Sequence, residues 1–223
     1  METLDLLRLH LTLEGKGIDD DGQLIRIPCP NPDTLTRVYV FRHTGGDTIL
    51  FRAGLPSFVR ERLLGLALID FFDFPERVVA ILAEDGPCNE IHIGKSYVFP
   101  ERIGPADYPD VVRLSQLDPA LVRHYDEELD SIQHEIFGIL ADGQIVSTCQ
   151  SSREDEQAGE AWVRTLEPYR QRGYARQVTA AWGHWLQQQG KVPFYSHRLD
   201  NVASWAVAQS LGLIQYIEDA GYA

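Results

Sequence analysis

The sequence predicts a mixed α/β (α+β) protein in two parts, and three features predict it. β-Branched and aromatic runs alternate with segments whose apolar residues recur at helical spacing. Thr44-Gly45-Gly46-Asp47 and Asp142-Gly143 each separate two strand-like runs, where residues able to take positive φ close a hairpin. Between them, the segment from Pro100 to Pro109 also holds Gly104 and Pro105, a composition that admits no regular element and marks a linker. The boundary is expected near Pro105, with an N-terminal α/β region over 1–105 and a second domain over 106–223.

Taken in order, Leu4, Leu7 and Leu11 share one helical face over residues 3–14, although Leu6, Leu9 and Leu13 alternate as a strand would. Helix is the reading taken. Gly15 to Gly22 and then Pro28, Pro30 and Pro32 predict a loop. Arg37–Arg42 and Thr48–Arg52 form a hairpin, Ser57–Leu68 and Pro75–Glu84 are helices, and Glu90–Phe99 is a strand. Beyond the linker come a short strand at Val111–Leu114, a helix over Asp118–Leu129 and strands at Glu135–Leu140 and Gln144–Gln150. A polar loop, Ser151–Gly159, leads to a strand at Glu160–Leu166. A helix from Tyr174, a strand at Val192–His197 and a helix over Asp200–Leu213 complete the pattern.

The chain has 223 residues, 44% of them hydrophobic, enough for a proper core. No stretch approaches the roughly 20 apolar residues of a membrane helix, and acids stand near the start where a signal peptide carries basic residues. Cys29, Cys88 and Cys149 form no CxxC or Cys/His pattern, so neither a zinc site nor a disulfide framework is expected. A cytoplasmic protein without metal follows, as monomer or homodimer. The net charge of −13 argues against a nucleic-acid partner, because phosphate backbones are held by clustered Lys and Arg. It favours a cationic substrate, although acidity for solubility explains it as well; Asp126, Glu127, Glu128 and Asp130 read either as an entrance for such a substrate or as a solvated helix face.

The informative stretch runs from Glu160 through Pro168-Tyr169-Arg170-Gln171-Arg172-Gly173-Tyr174-Ala175-Arg176 into a helix with Tyr174, Val178, Ala181 and Trp185 at helical spacing. Strand, glycine loop and helix start make an anion cradle: the first-turn amides are unpaired and the helix dipole places about half a positive charge there. Each such interaction stabilises an anion by roughly 0.3–1 kcal/mol, so the amides must act together with Arg170, Arg172 and Arg176 to hold a diphosphate. A glycine loop before a helix is common and by itself a weak signal. The absence of a Gly-Lys-Ser/Thr ending excludes a Walker loop, and the missing first two glycines exclude a dinucleotide fingerprint.

Arg170, Gly173 and Ala175, with the lead-in Pro168-Tyr169-Arg170, closely resemble the Arg/Gln-x-x-Gly-x-Gly/Ala signature of the GCN5-related N-acetyltransferases, the GNAT superfamily. Asn201, Ser204 and Leu211-Gly212-Leu213 resemble the family's last motif. The resemblance covers the C-terminal half and implies a mixed, mainly antiparallel sheet flanked by helices and opened between the strands around Val163 and Tyr195. It implies acetyl-CoA as co-substrate. Val163, Arg164 and Thr165 would face the pantetheine arm, the run Arg170, Gln171, Arg172, Gly173, Tyr174, Ala175 and Arg176 the phosphates, and Asn201 and Ser204 would complete the cofactor site. The reaction it implies is direct attack by a small-molecule or peptide amine in a ternary complex.

Such an amine must lose a proton, and Glu160 is the expected base, near the place where relatives keep a catalytic Glu but offset by one residue, so that a bulge is needed to hold it on that face. A solvated strand end is the alternative for Glu160, and an ordinary half-buried histidine for His197. Where many relatives carry a tyrosine that protonates the departing thiolate, this chain has Ala208. Tyr195, Ser196 and His197 stand nearby as replacements, with Tyr195 and His197 taken alongside Glu160 as the catalytic set. Ala208 also keeps open a CoA-binding sensor or interaction module with weakened catalysis, and succinyl- or malonyl-CoA as donor. Trp182, Trp185 and Trp205 are expected in the core; Trp162 reads as core or substrate contact.

Overall fold

The computed structural model describes residues 2–29, 35–116 and 134–223. The helix expected at Asp118–Leu129, the four acids on it, and Pro30 and Pro32 lie outside these. The chain divides into two compact units: one comprises Met1–Ser96, His197–Asn201 and Gln215–Ala223, the other Tyr97–Ser196 and Val202–Ile214.

The first unit opens with helix α1 (Thr3–Leu13), which buries Leu6, Leu7, Leu11 and Leu13 and leaves Leu4 half exposed. The expected loop after it is instead a small antiparallel hairpin, β1 (Lys16–Ile18) with β2 (Leu24–Arg26). Its turn is made by Asp19, whose Oδ1 accepts the amides of Asp21 and Gln23 at 3.1 and 2.7 Å, and by Gly22 at φ 75°. That side-chain turn is what the glycine count concealed. Strands β3 (Val38–His43) and β4 (Gly46–Phe51) form the predicted hairpin. The first predicted helix stops early, α2 (Ser57–Leu64) ending at Gly65, and a one-turn helix α3 (Asp70–Asp73) precedes α4 (Pro75–Leu82), which has Pro75 in its first turn. Val38, Val40, Val59, Leu63, Phe71 and Leu82 are fully buried between these helices and the sheet.

The last strand of the chain, β11 (Ile214–Tyr222), was not anticipated; it pairs antiparallel with β3, Tyr222 opposite Val38. With β5 (Ile91–Val98) the order in this unit is β4-β3-β11-β5. Beneath lies a buried polar group. The Tyr39 hydroxyl donates to Asp219 Oδ2 at 3.0 Å, and His92 Nε2 stands 3.3 Å from the same oxygen. Nearby, Lys16 Nζ bonds Glu14 at 2.8 Å and His10 Nδ1 meets the Tyr216 hydroxyl at 2.5 Å. Burial alone would lower the His92 pKa, but the hydrogen bond and charge of Asp219 outweigh it and raise it. For Asp219 burial works upward, and His92 and Tyr39 overcome it, holding the carboxyl low.

The second unit carries strands in the order β10-β9-β8-β7-β6, namely β6 (Val112–Arg113), β7 (Phe137–Ala141), β8 (Gln144–Glu154), β9 (Ala158–Thr165) and β10 (Val192–Arg198), the last belonging to this unit as far as Ser196. Asp142 at φ 51° and Gly143 at φ 75° close the β7–β8 turn, as the Asp-Gly pair predicts. Strands β8 and β9 run further than expected: the polar segment taken as a loop is mostly ladder, with a register shift between Ser151 and Arg153. Polar residues there pair across the strands instead of facing water. Helix α5 (Tyr174–Gln188) lies on this sheet, with Trp182 fully buried against Phe99 and donating from its indole nitrogen to Ser151 Oγ at 3.0 Å. Gly183 allows the close approach, since a Cβ there would meet the Phe99 ring at 2.2 Å. Helix α6 (Val202–Leu211) follows β10. Trp205 on it is 47% exposed, against the expectation of a core position; its helix is apolar on more than one face, so spacing did not reveal which face is covered.

Candidate active site

The loop before α5 is built by local backbone. Pro168 sits in a single 3₁₀ turn, Glu167–Tyr169, and the Tyr169 hydroxyl ties it down by donating to Asp142 Oδ2 at 2.8 Å and accepting from Gln144 at 2.9 Å. Gln171 at φ 61° and Gly173 at φ 78° then turn the chain into the helix. At Gly173 an added Cβ would meet nothing within 4 Å, so the left-handed backbone, and not crowding, demands the glycine. Gly173 at the N-cap offers no side chain to cap the helix, whose first-turn amides of Tyr174, Ala175 and Arg176 lie at the positive end of the dipole. Arg170 and Arg172 lie exposed along the loop. Arg170 Nε reaches the Thr165 carbonyl at 3.4 Å, and Arg172 reaches that of Pro168 at 3.2 Å with its guanidinium 5.0 Å from the Tyr169 ring centre. Arg176 turns elsewhere. Its Nη atoms bond the Asp107 carboxylate and carbonyl at 2.9 and 3.1 Å, and its Nε bonds the Ser210 carbonyl at 3.4 Å. The Gly104 amide and Arg176 hold the Asp107 carboxyl low.

Beside the loop the sheet opens. Strands β9 and β10 pair in parallel from Val192↔Ala158 only as far as Phe194↔Glu160, after which β9 runs on to Thr165 against β8 alone. Ala161 and Val163 pack toward the core that holds α5, so by alternation Glu160, Trp162 and Arg164 take the other face. Trp162 is 40% exposed there and is no core residue. Thr165 Oγ1 lies 2.8 Å from Ser147 Oγ.

At the point of opening, Glu160 is buried, which removes the reading of a solvated strand end. Arg153 Nη1 donates to its Oε2 at 2.6 Å and the Ser196 hydroxyl donates to its Oε1. The register shift on β8 is what sets Arg153 opposite Glu160. Neither partner was foreseen as such, since only the bulge brings Arg153 into place and a bulge leaves no mark in the residue pattern. Tyr195 belongs to the α5 side of the sheet: its buried hydroxyl donates to the Ser204 carbonyl at 3.3 Å, and burial pushes its pKa up to about 12. His197 is buried and its Nδ1 lies 2.8 Å from the Arg198 carbonyl, a donor's position. Asn201 is exposed just before α6, Ser204 is half-buried on it, and Ala208 is fully buried in the core that includes Tyr195. The structure therefore brings together Glu160, Arg153 and Ser196, and puts Tyr195 on the opposite face.

Residues 117–222 match the family model of the GNAT acetyltransferase. Among solved structures, a GNAT-family acetyltransferase from Novosphingobium aromaticivorans matches at 18% identity and TM-score 0.48, over 60% of this chain and 65% of that one. A tandem GNAT protein from the clavulanic acid biosynthesis pathway matches at 12% identity and TM-score 0.48, over 100% of this chain and 96% of that one. An aminoglycoside N-acetyltransferase in complex with CoA matches at 22% identity and TM-score 0.37, over 46% of this chain and 90% of that one. No curated protein matches the chain.

Proposed function

We propose, from the match of residues 117–222 to the GNAT acetyltransferase model, that the chain moves an acetyl group from acetyl-CoA to an amine by direct attack in a ternary complex. One observation carries this reading: the strand ladder ends at Phe194↔Glu160 beside an uncapped helix start at Gly173. An opened strand edge suits an extended pantetheine arm, and the amides of Gly173 to Arg176 with Arg170 and Arg172 suit its diphosphate. In this reading Val163 and Thr165 border the arm, Gln171 and Gly173 shape the loop, and Asn201, just before α6, and Ser204, on it, complete the cofactor site. Arg176, committed to Asp107 and Ser210, acts as a strut that fixes the helix start.

Glu160 serves as the base. In its charged form it accepts from both Arg153 and Ser196, and a carboxylate can take the surplus proton that the neutral amine carries once it has attacked. The acceptor is a small-molecule or peptide amine, and the excess of acids favours a cationic one. Residues 1–105 shape the acceptor side and 106–223 hold CoA. The free thiols Cys29, Cys88 and Cys149 suit the cytoplasm, and no described helix is long and apolar enough to cross a membrane. The second reading, a CoA-binding module without turnover, is favoured by the buried Ala208. Thiol release from acetyl-CoA across a panel of amines separates the two: turnover supports the transferase, while calorimetric binding of CoA with background release supports the module.

A further inference from the structure

We propose that Ser196 is a catalytic residue, the group that protonates the departing CoA sulfur; this rests on the reading of Glu160 as the base. The Ser196 hydroxyl donates to Glu160 Oε1 while Arg153 occupies Oε2, so the carboxylate has one oxygen anchored and the other shared with a movable proton. Ser196 lies two residues beyond Phe194, the last paired position of β10, which places it about 7 Å into the opening between the strands. Alternation sets it on the face of Phe194 and Glu160.

The other residues expected for this proton on and beside β10 are placed differently. Ala208 offers only a methyl, packed in the core. Tyr195 is buried on the opposite face with its hydroxyl spent on the Ser204 carbonyl, and the His197 Nδ1 is engaged by the Arg198 carbonyl.

The proton balance closes. The acceptor nitrogen attacks the thioester carbon, the C–N bond forms, and the carbonyl π pair moves to oxygen. The surplus proton on nitrogen passes to Glu160. As the oxyanion collapses, the C–S bond breaks and its electron pair leaves on sulfur. Ser196 gives its hydroxyl proton to that sulfur and takes the proton held on Glu160 Oε1. Amide and free thiol result, and both side chains end as they began.

The test measures thiol release from acetyl-CoA with diamines, aminoglycosides and amino-acid esters, and with hydroxylamine as a small surrogate acceptor. Ser196→Ala is expected to lose about 100-fold in kcat while its acetyl-CoA affinity, by calorimetry, stays within about twofold. Ser196→Thr, which keeps a hydroxyl, is expected to regain most of that rate, and the Ser196→Ala loss is expected to persist at alkaline pH. A hydroxyl that only held Glu160 in its charged form would become dispensable there, so recovery of wild-type kcat at high pH overturns the relay. Wild-type kcat in Ser196→Ala beside an impaired Glu160→Gln overturns it too, leaving the base in place. Glu160→Gln at the wild-type rate, or no enzyme-dependent release at all, removes the underlying reading and the relay with it.

Discussion

Each unit of this protein buries a carboxylate between two donors, and the contrast between them shows what sets the proposed base apart. Asp219, 1% exposed, takes Tyr39 and His92 on one oxygen and stands inside a strand pair that continues to Glu218↔Arg42 on one side of it and to Tyr222↔Val38 on the other. Glu160, 5% exposed, takes Arg153 and Ser196, one on each oxygen, at the residue where its ladder with β10 stops. Burial and hydrogen bonding are common to both. Only Glu160 adjoins backbone that the sheet has released.

If that difference is the relevant one, the two carboxylates respond differently to substitution. The largest effect is expected at Glu160→Gln, which should lower kcat by about 100-fold with acetyl-CoA affinity retained; steady-state kinetics and calorimetry read the split. Asp219→Ala should instead cost stability, on the order of 1–3 kcal/mol, because the buried Tyr39 hydroxyl loses its acceptor; urea unfolding measures it.

The same pair sets a pH window. His92, raised, stabilises the fold fully below the unfolded histidine value of about 6.5 and loses that contribution as pH rises through its folded pKa. Asp219, lowered, stabilises above the unfolded value of about 3.9 and loses it as pH falls through its folded pKa. Their joint contribution is therefore greatest between roughly pH 4 and 6.5, and Asp219→Ala should flatten the profile of thermal unfolding across that range. An unchanged profile would remove Asp219 from the comparison.

Smaller effects are expected in the loop. Gly173→Val forces a β-branched residue to φ 78°, a strain on the order of 1–3 kcal/mol, and should weaken CoA binding by about tenfold while leaving the core untouched. Arg176→Ala should cost less than about 1 kcal/mol of stability, as partly exposed ion pairs do, and should weaken CoA binding less than Arg172→Ala does. The reverse order of the two arginines would return Arg176 to the phosphates.

Much of this was legible in the residues, and what was not has physical reasons. The α/β alternation, the Asp142-Gly143 hairpin and the helix beginning at Tyr174 follow from periodicity and turn chemistry, which act over a few residues. The loop around Gly173 was found through the resemblance of Arg170, Gly173 and Ala175 to a family signature, whose glycine the backbone angle demands. By contrast, the β1–β2 hairpin depends on the Asp19 side chain, the extension of β8 and β9 on polar cross-strand pairs, and the last strand on the distant partner β3. At the site, Glu160 could be singled out by the resemblance, which implies a base near the start of this strand, but Arg153 and Ser196 reach it only through a bulge and a parallel neighbour, neither of which is a local property. The buried Asp219 group, drawn from residues 10 to 219, left no trace in any window of sequence.

The central claim is that the chain binds CoA at the Gly173 helix start with its arm along the opened edge of β9. A crystal structure with acetyl-CoA bound tests it most directly. The account predicts the diphosphate on the amides of Gly173 to Arg176, with the thioester sulfur between β9 and β10 within hydrogen-bonding reach of the Ser196 hydroxyl. A cofactor bound away from Gly173, or a sulfur on the Tyr195 face of the sheet, would contradict it.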